Sequence, residues 1–305
     1  MSTSHGVSVI IPTYYRNDTL VAALDSILNQ TVNNIEIIII DDSGEGHAED
    51  VIVEFEDARI EYIPLDENRG PQVAREIGLQ HAEHAYVQFF DDDDQLREDA
   101  IEKRLPLITS DDDVGVVYSG IEWDNGHRDR PRAEDVDDIL AAALSFDIAA
   151  CTTSNMLIEG RYLEPIRPIT GEYTGAGDLA LNIWLAERCE FAFVDEPLLK
   201  AAATEGSLGV SMQAIESRFR IVEDLNRLYT RFPPEVRRQA LSDTYLLQGR
   251  YHLDQRIWSA RAIGSFARAL YLDPDRSARS LGELVGSLGG RPGRDIASKV
   301  YRRVQ

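Results

Sequence analysis

Four consecutive aspartates at positions 91–94 directly follow an apolar, aromatic-rich run at 86–90. An apolar run that stops abruptly in carboxylates is typical of a buried strand whose acidic end reaches a cleft. Because adjacent carboxylates repel one another, such a cluster suits a hard cation such as Mg²⁺ or Mn²⁺. A solvated acidic turn on a very acidic protein is the alternative, and this stretch alone does not separate the two.

A second acidic strand end occurs earlier, where the near-continuous apolar run at 35–40 stops at Asp41 and Asp42. Apolar runs at 7–14, 35–40, 59–64 and 86–90 alternate with helical patterns, which predicts a parallel sheet between layers of helices. Ligands of such sheets bind beyond the carboxyl ends of the strands. We therefore expect both acidic ends to face one crevice.

The pattern loosens after a helix predicted at 101–108 and a strand at 114–118. The polar stretch 120–135 is interpreted as a loop, and 136–144 as a helix. Gly175-Ala176-Gly177-Asp178 leads into a helix, and a short strand is expected at 191–194. The small-residue stretch 200–211 suits a mobile loop.

The chain of 305 residues carries 53 acidic and 31 basic residues, for a net charge of −22, and it has only three lysines. This composition resembles that of proteins from a salt-rich, haloadapted cytoplasm, and an ordinary acidic enzyme is the alternative. Cys151 and Cys189 are too few for a disulfide framework and too far apart for a metal motif. No signal segment or membrane span is evident, so we expect a cytoplasmic protein, with no nucleic-acid partner.

The sign of the charge changes along the chain. Residues 1–210 contain 43 acidic and 14 basic residues, whereas residues 211–305 contain 10 and 17. The change predicts two domains, 1–210 and 211–305, of which the second is helical by its apolar periodicity.

Five short segments, taken in chain order, resemble the inverting family 2 glycosyltransferases of the GT-A fold. They are Val9-Ile10-Ile11-Pro12-Thr13-Tyr14, Ser26-Ile27-Leu28-Asn29-Gln30-Thr31, Glu36-Ile37-Ile38-Ile39-Ile40-Asp41-Asp42-Ser43, Asn68-Arg69-Gly70 with Ala74-Arg75, and Phe90-Asp91-Asp92-Asp93-Asp94. The resemblance covers about residues 7–200. It implies an α/β fold: a GT-A nucleotide-sugar-binding domain with a mostly parallel sheet between helices, followed by a C-terminal helical tail.

The resemblance also implies a nucleotide-sugar donor, a bound Mn²⁺ or Mg²⁺ and inversion at the anomeric carbon. By the same resemblance, Pro12, Thr13 and Tyr14 would form the wall against which the base of the donor packs. Asp41 and Asp42 would accept hydrogen bonds from the base or the ribose.

The acidic cluster matches the paired aspartates of the family at Asp91 and Asp93. The resemblance implies that Asp93, with Asp94, holds the metal that bridges the diphosphate, and that Asp91 contacts the donor. A cation there would act as a Lewis acid where charge develops on the leaving group.

Two further residues each have a role implied by the resemblance and an alternative. Arg75 would contact the base or the diphosphate, and the alternative is a surface ion pair with Asp66 or Glu76. Asp178 would be the base that deprotonates the acceptor hydroxyl, and the alternative is a helix N-cap. The family usually has Glu-Asp where this chain has Gly177-Asp178.

A second departure is the absence of a histidine from 200–211, which leaves the closing role there to Lys200 or Ser207. The resemblance suggests assembly of a glycan on a polyprenyl (dolichol) phosphate carrier for N-glycosylation of surface glycoproteins, with a polysaccharide pathway as the alternative. A nucleotide-sugar phosphoryl-transfer enzyme and a non-catalytic acidic cation-binding protein are the rival classes. The aligned acidic strand ends disfavour the second of these.

The basic tail has two interpretations. It packs on its own acidic domain, or it brings the chain to the inner face of an anionic membrane where a lipid-linked acceptor resides. For the second, the sequence offers candidate exposed apolar side chains: Trp258, Phe266, Leu281 and Leu284.

Overall fold

The computed structural model describes residues 5–166, 173–202, 211–273 and 277–290. Its strands are β1 (Val7–Thr13), β2 (Ile35–Asp41), β3 (Ile60–Pro64), β4 (Tyr86–Phe89), β5 (Gln95–Leu96), β6 (Val114–Trp123), β7 (Arg128–Asp129), β8 (Leu157–Glu159) and β9 (Glu190–Ala201).

The helices up to residue 186 are α1 (Asn17–Leu28), α2 (Glu49–Val53), α3 (Pro71–His81), α4 (Ala100–Thr109), α5 (Ala133–Asp137), α6 (Ile139–Leu144) and α7 (Gly177–Ala186). The later ones are α8 (Met212–Asp224), α9 (Asn226–Tyr229), α10 (Pro234–Gln255), α11 (Ala260–Leu272) and α12 (Ser277–Leu288). Short 3₁₀ turns lie at Thr153–Asn155, Gly160–Tyr162 and Glu164–Ile166.

The strands form one sheet in the order β3-β2-β1-β4-β8-β6-β9-β5, with β7 paired to β6. Strands β1, β2, β3 and β4 run parallel, as does the pair β6 and β9. Strand β8 is antiparallel to both of its neighbours, and β5 is antiparallel to β9. The predicted α/β fold with a mostly parallel sheet and a helical C-terminal region is confirmed.

The prediction that 120–135 is a loop is wrong. Strand β6 continues to Trp123 beside β9, turns at Asp124-Asn125-Gly126 and returns as β7, and α5 begins at Ala133. Gly126 has a φ of +80°, the left-handed conformation that such tight hairpin turns use. The high charge of this stretch concealed a hairpin signal.

The strand predicted at 191–194 is longer than expected: β9 includes Lys200. Ser207 lies outside the described residues.

The chain divides into two compact units. The first consists of Met1–Ile139, Ile148–Gly171 and Leu181–Thr204, and the second of Leu140–Asp147, Glu172–Ala180 and Glu205–Gln305. The second unit therefore includes two short segments that precede the basic tail. The predicted domain boundary at residue 210 stays a prediction.

Helices α10, α11 and α12 of the second unit pack around a small apolar core that includes Phe266. Phe266 is fully buried and Leu284 packs against the same core, so the expectation that both are exposed is wrong. Trp258 and Leu281 are exposed as expected. Within the described residues, none of the helices is long and apolar enough to span a bilayer.

A fully buried arginine supports the centre of the first unit. Arg104 of α4 donates hydrogen bonds from Nη2 to Ser119 Oγ and Asn155 Oδ1, both at 2.8 Å, and from Nη1 to Gln88 Oε1 at 3.4 Å. Burial lowers the pKa of Arg104 to about 9. Its guanidinium thus joins α4 to strands β4 and β6 and to the turn that precedes β8.

Removing this guanidinium is expected to destabilise the first unit. Arg104→Ala leaves a cavity and removes the hydrogen bonds to three buried polar partners, so the free energy of unfolding should fall by about 3 kcal/mol or more. Arg128→Ala, which breaks an exposed ion pair with Glu122, should cost less than about 1 kcal/mol. Urea denaturation followed by circular dichroism measures both. Equal losses in the two variants would contradict the structural role of Arg104.

Candidate active site

The four aspartates form a tight turn at the carboxyl end of β4. Phe90 continues the pairing with β1 by donating its backbone N–H to Ile10 O at 2.9 Å. The backbone N–H of Asp91 then donates to Ser154 Oγ at 3.0 Å, and that of Asp94 donates to Asp91 O at 3.2 Å. The apolar strand thus ends where the sequence predicts, and Ser154 fixes the start of the turn.

The side chains of the turn alternate in exposure, and we call the two partly exposed carboxylates outward and the two buried ones inward. Those of Asp91 and Asp93 are 41% and 17% exposed. Asp92 and Asp94 are buried. The two outward carboxylates are the ones that match the paired aspartates of the resembling family.

Burial dominates the electrostatics of the two inward carboxylates. It raises the pKa of Asp92 to about 6, an effect that a hydrogen bond from Thr13 Oγ1 at 2.8 Å partly offsets. Burial and the charge of Asp91 raise the pKa of Asp94 to about 7, against hydrogen bonds from Ser154 and the backbone N–H of Ala202. Asp94, predicted to be a metal ligand, therefore lies inside the turn and bonds to the protein.

Two arginines neutralise the outward carboxylates. Arg75 of α3 donates from Nη2 to Asp91 Oδ1, rather than forming the surface pairs considered as its alternative. Arg16, just before α1, donates from Nη1 to Asp93 Oδ2 at 2.7 Å and to Asp92 Oδ1 at 3.2 Å. Arg75 is 17% exposed and Arg16 is 47% exposed.

The acidic end of β2 lies two strands from that of β4. Asp42 accepts hydrogen bonds from the backbone N–H groups of Arg69 and Gly70, both at 2.7 Å, and so orders the approach to α3. Asp41 is fully buried and accepts from Ser43 N, Ala48 N and the hydroxyl of Tyr62. Burial by itself would raise the pKa of Asp41, but these hydrogen bonds lower it below its usual value. Both carboxylates thus organise loops, and their predicted contacts with a donor stay predictions.

The end of β1 supplies the predicted wall. Pro12 and Thr13 are buried within the strand, whereas Tyr14 is half exposed. Tyr15 adopts a φ of +54°, uncommon for a tyrosine, and its hydroxyl donates to Glu45 Oε1 at 2.9 Å. Its ring also lies 4.6 Å from that of His47, centroid to centroid. The exposed aromatic surface here is therefore formed by Tyr14 and Tyr15.

Asp178 belongs to the second unit, where it is exposed in the first turn of α7. Helix α7 begins at Gly177, so Asp178 lies inside the helix and is not its N-cap. Burial lowers the pKa of Arg218, whereas the charges of Asp243 and Asp178 oppose that effect. The guanidinium of Arg218 stacks on the Phe146 ring at 5.0 Å. This arginine therefore interacts electrostatically with Asp178 and Asp243.

The outward carboxylates suit a divalent cation that the protein shares with a substrate. Across the described parts of the chain, no three histidine, cysteine or acidic side chains are arranged to hold a metal ion by themselves. Mg²⁺ and Mn²⁺ commonly bind through one or two carboxylates, with water and substrate phosphates completing the coordination. Asp91 and Asp93, both partly exposed on one turn, fit such a shared site.

Sequence reasoning missed three residues that interact with the acidic turn or with Asp178. Arg16 follows the wall segment directly, and its position next to a strand end was an available signal. Ser154 and Arg218 carry no local signal, because their partners lie far away in sequence.

Comparison with known proteins bears on the whole arrangement. The family model "Glycosyl transferase family 2" matches residues 8–166. The chain is 39% identical over 104 residues to the putative teichuronic acid biosynthesis glycosyltransferase TuaG of Bacillus subtilis. This alignment covers 33% of this chain and 41% of TuaG. It is 27% identical over 121 residues to the Escherichia coli UDP-Glc:alpha-D-GlcNAc-diphosphoundecaprenol beta-1,3-glucosyltransferase WfgD, 40% of this chain and 47% of WfgD. The chain thus spans less than half the length of these relatives.

Solved structures show the same fold. S. aureus TarS 1-349 in complex with UDP-GlcNAc aligns with a TM-score of 0.63 at 17% identity, over 98% of this chain and 92% of TarS 1-349. The mannosyltransferase PcManGT from Pyrobaculum calidifontis, in complex with GDP-Man and Mn²⁺, aligns with a TM-score of 0.54 at 18% identity, over 96% and 83%. The fold is that of the GT-A glycosyltransferases. Because the family model matches more than half of its residues, the chain belongs to glycosyl transferase family 2.

Proposed function

We propose that this protein is a metal-dependent inverting glycosyltransferase that moves a sugar from a nucleotide-sugar donor to an acceptor hydroxyl. The observation that carries the proposal is the pair of outward carboxylates, Asp91 and Asp93, on a turn at the carboxyl end of β4. Thr13, which precedes the exposed Tyr14, donates to Asp92 of that turn, and Arg16 and Arg75 pair with its carboxylates. Together these groups offer an aromatic surface for a base, cations for a diphosphate and ligands for a metal ion.

The donor half of the reaction is assigned to the first unit. Tyr14 packs against the base. Asp42 orders residues 69–70 at the start of α3, and Arg75, on that helix, contacts the base or the diphosphate. Asp93 and Asp91 are the carboxylates that would hold Mn²⁺ or Mg²⁺. A divalent cation there offsets the negative charge that develops on the leaving diphosphate.

The acceptor half needs a base. We assign this role to Asp178, which removes the proton from the acceptor hydroxyl as its oxygen attacks the anomeric carbon on the face opposite the diphosphate. Arg218 is the arginine whose charge interacts with this carboxylate. Attack from the opposite face inverts the configuration.

For the acceptor we favour a glycan on a polyprenyl diphosphate or phosphate carrier, in a pathway for surface glycoproteins. The printed activity of WfgD, on a diphosphoundecaprenol-linked sugar, supports a lipid-linked acceptor. The printed role of TuaG in teichuronic acid biosynthesis supports the second candidate, a polysaccharide acceptor. The acidic composition favours a salt-rich cytoplasm as the working environment.

A variant of Asp178 tests the catalytic assignment. In a screen of UDP, GDP and dTDP sugars in molar KCl with Mn²⁺, Asp178→Asn should lose about 10²- to 10⁴-fold in acceptor-dependent nucleotide release. Its stability should change by no more than about 1 kcal/mol, the worth of a charge in the first helical turn. Asp243→Asn, which removes the other carboxylate acting on Arg218, is the matched control and should retain turnover. Normal transfer by Asp178→Asn would refute the role of Asp178. If the wild type releases no nucleotide from any donor, the proposed transfer reaction is refuted.

We also propose that the second unit contacts an anionic membrane, where a lipid-linked acceptor resides. Leu281, Val285 and Leu288 are exposed at helical spacing on α12, and Ile257 and Trp258 are exposed just before α11. Exposed arginines accompany them, namely Arg256, Arg261 and Arg268, and residues 211–305 carry a surplus of basic residues. Apolar insertion beside basic groups is the chemistry that anionic lipid surfaces favour.

Flotation in 2 M KCl tests this contact, because at about 1 M salt the Debye length is only about 3 Å and long-range attraction is lost. The full chain should float with anionic liposomes, and a variant with Trp258→Ser, Leu281→Ser and Val285→Ser should stay in the dense fraction. Val53→Ser removes an equally exposed apolar side chain from the first unit and should float like the wild type. If the triple variant floats equally well, or the wild type does not float, the membrane proposal is wrong.

A further inference from the structure

Arg16 occupies the carboxylate that the proposed cation requires. Its Nη1 lies 2.7 Å from Asp93 Oδ2 and 3.2 Å from Asp92 Oδ1, so one guanidinium spans the middle of the acidic turn. The Arg16 side chain is 47% exposed, whereas that of Asp92 is only 6% exposed. A long, half-exposed cation therefore neutralises the most concentrated negative charge of the first unit.

Arg16 and a divalent cation compete for the same oxygen. A carboxylate oxygen that binds a metal ion at short distance does not also keep a guanidinium at hydrogen-bond distance without strong repulsion between the two cations. Arg75 also pairs with a candidate metal ligand, Asp91, but its side chain is only 17% exposed and extends from helix α3. Of the two arginines, Arg16 thus has more freedom to move, because its side chain is 47% exposed.

We propose that Arg16 is an exchangeable counter-ion: it holds the acidic turn without metal, and when the cation binds Asp93 it moves to the donor diphosphate. The proposal rests on the metal-dependent transfer proposed above and adds a donor-binding residue to it. A guanidinium displaced from a carboxylate finds in a diphosphate the same planar, doubly accepting geometry. The chain position of Arg16, between the end of β1 and the start of α1, keeps its backbone beside the turn during the exchange.

This exchange predicts opposite effects of one substitution on two ligands. Arg16→Met keeps the length of the side chain and removes the charge. The variant should bind Mn²⁺ alone about tenfold more tightly, because no guanidinium has to be displaced. In saturating Mn²⁺ it should bind UDP or GDP about tenfold more weakly, because a charge-assisted hydrogen bond contributes that much affinity or more. If Arg16 had a purely structural role, Arg16→Met would weaken the binding of both Mn²⁺ and the nucleotide.

The measurements are electron paramagnetic resonance titration of the full chain with Mn²⁺, then calorimetric titration with UDP and with GDP. Both are made at pH 8. Arg97→Met is the matched control, since Arg97 is 49% exposed and pairs with Asp99 and Glu196 outside the acidic turn. It should leave both affinities within about twofold, well below the tenfold effect of one charge-assisted bond. Arg16→Lys keeps the charge and should bind Mn²⁺ like the wild type.

The outcomes separate the two proposals. If the wild type binds Mn²⁺ and nucleotide but Arg16→Met binds Mn²⁺ no more tightly, or binds nucleotide unchanged, the exchange is refuted and the transferase function stands. If the Arg97→Met control reproduces both effects, general charge explains them and the exchange is also refuted. If the wild type binds no Mn²⁺ even with nucleotide, both the exchange and the metal-dependent function fail.

Discussion

Repulsion among four consecutive carboxylates is the constraint on which the site depends. The chain relieves it in two ways. Asp92 and Asp94 are buried, and burial raises the pKa of both, so that either is protonated more easily than an exposed aspartate. Asp91 and Asp93 stay partly exposed, and arginines neutralise them. The fold thus leaves two carboxylates partly exposed and makes the other two part of the protein interior.

The sheet brings the partners of this turn together. Strands β1, β2 and β4 lie side by side and parallel, so Thr13, Asp42 and Asp91 emerge at one edge. Each strand end then connects to another: Thr13 donates to Asp92, and Asp42 orders the loop that starts the helix bearing Arg75. Arg104 is connected to the same region through Gln88 of β4. Gln88 accepts a hydrogen bond from Arg104 and donates one to Ser154 O. Loss of one connection would affect the geometry of the others.

The elements that could be predicted from the sequence are those with strong local signals. The apolar runs that became β1, β2 and β4 and the acidic ends that follow them required only periodicity and charge. The hairpin at β6 and β7 was missed because charged residues occupy a turn whose Asn125-Gly126 pair was the better signal.

Long-range contacts had no local signal at all. Tyr229 donates its hydroxyl to Leu144 O at 2.7 Å and Ser217 donates to Thr174 O at 3.0 Å, which joins segments 140–147 and 172–180 to the second unit. The pairing of Arg75 with Asp91 was missed for the same reason, because a sequence shows where charges lie but not which of them pair.

The most direct test of the central claim is whether donor binding depends on a cation held by the outward carboxylates. Calorimetric titration with UDP-glucose and GDP-mannose, in Mn²⁺ and then in EDTA, measures this for the wild type, Asp93→Asn and the exposed neighbouring control Glu98→Gln. The account predicts that at least one donor binds the wild type and Glu98→Gln in Mn²⁺, and that EDTA or Asp93→Asn weakens binding by about tenfold or more, the loss expected for a charged ligand. Donor binding that is equally tight in EDTA, or unchanged in Asp93→Asn, would contradict it.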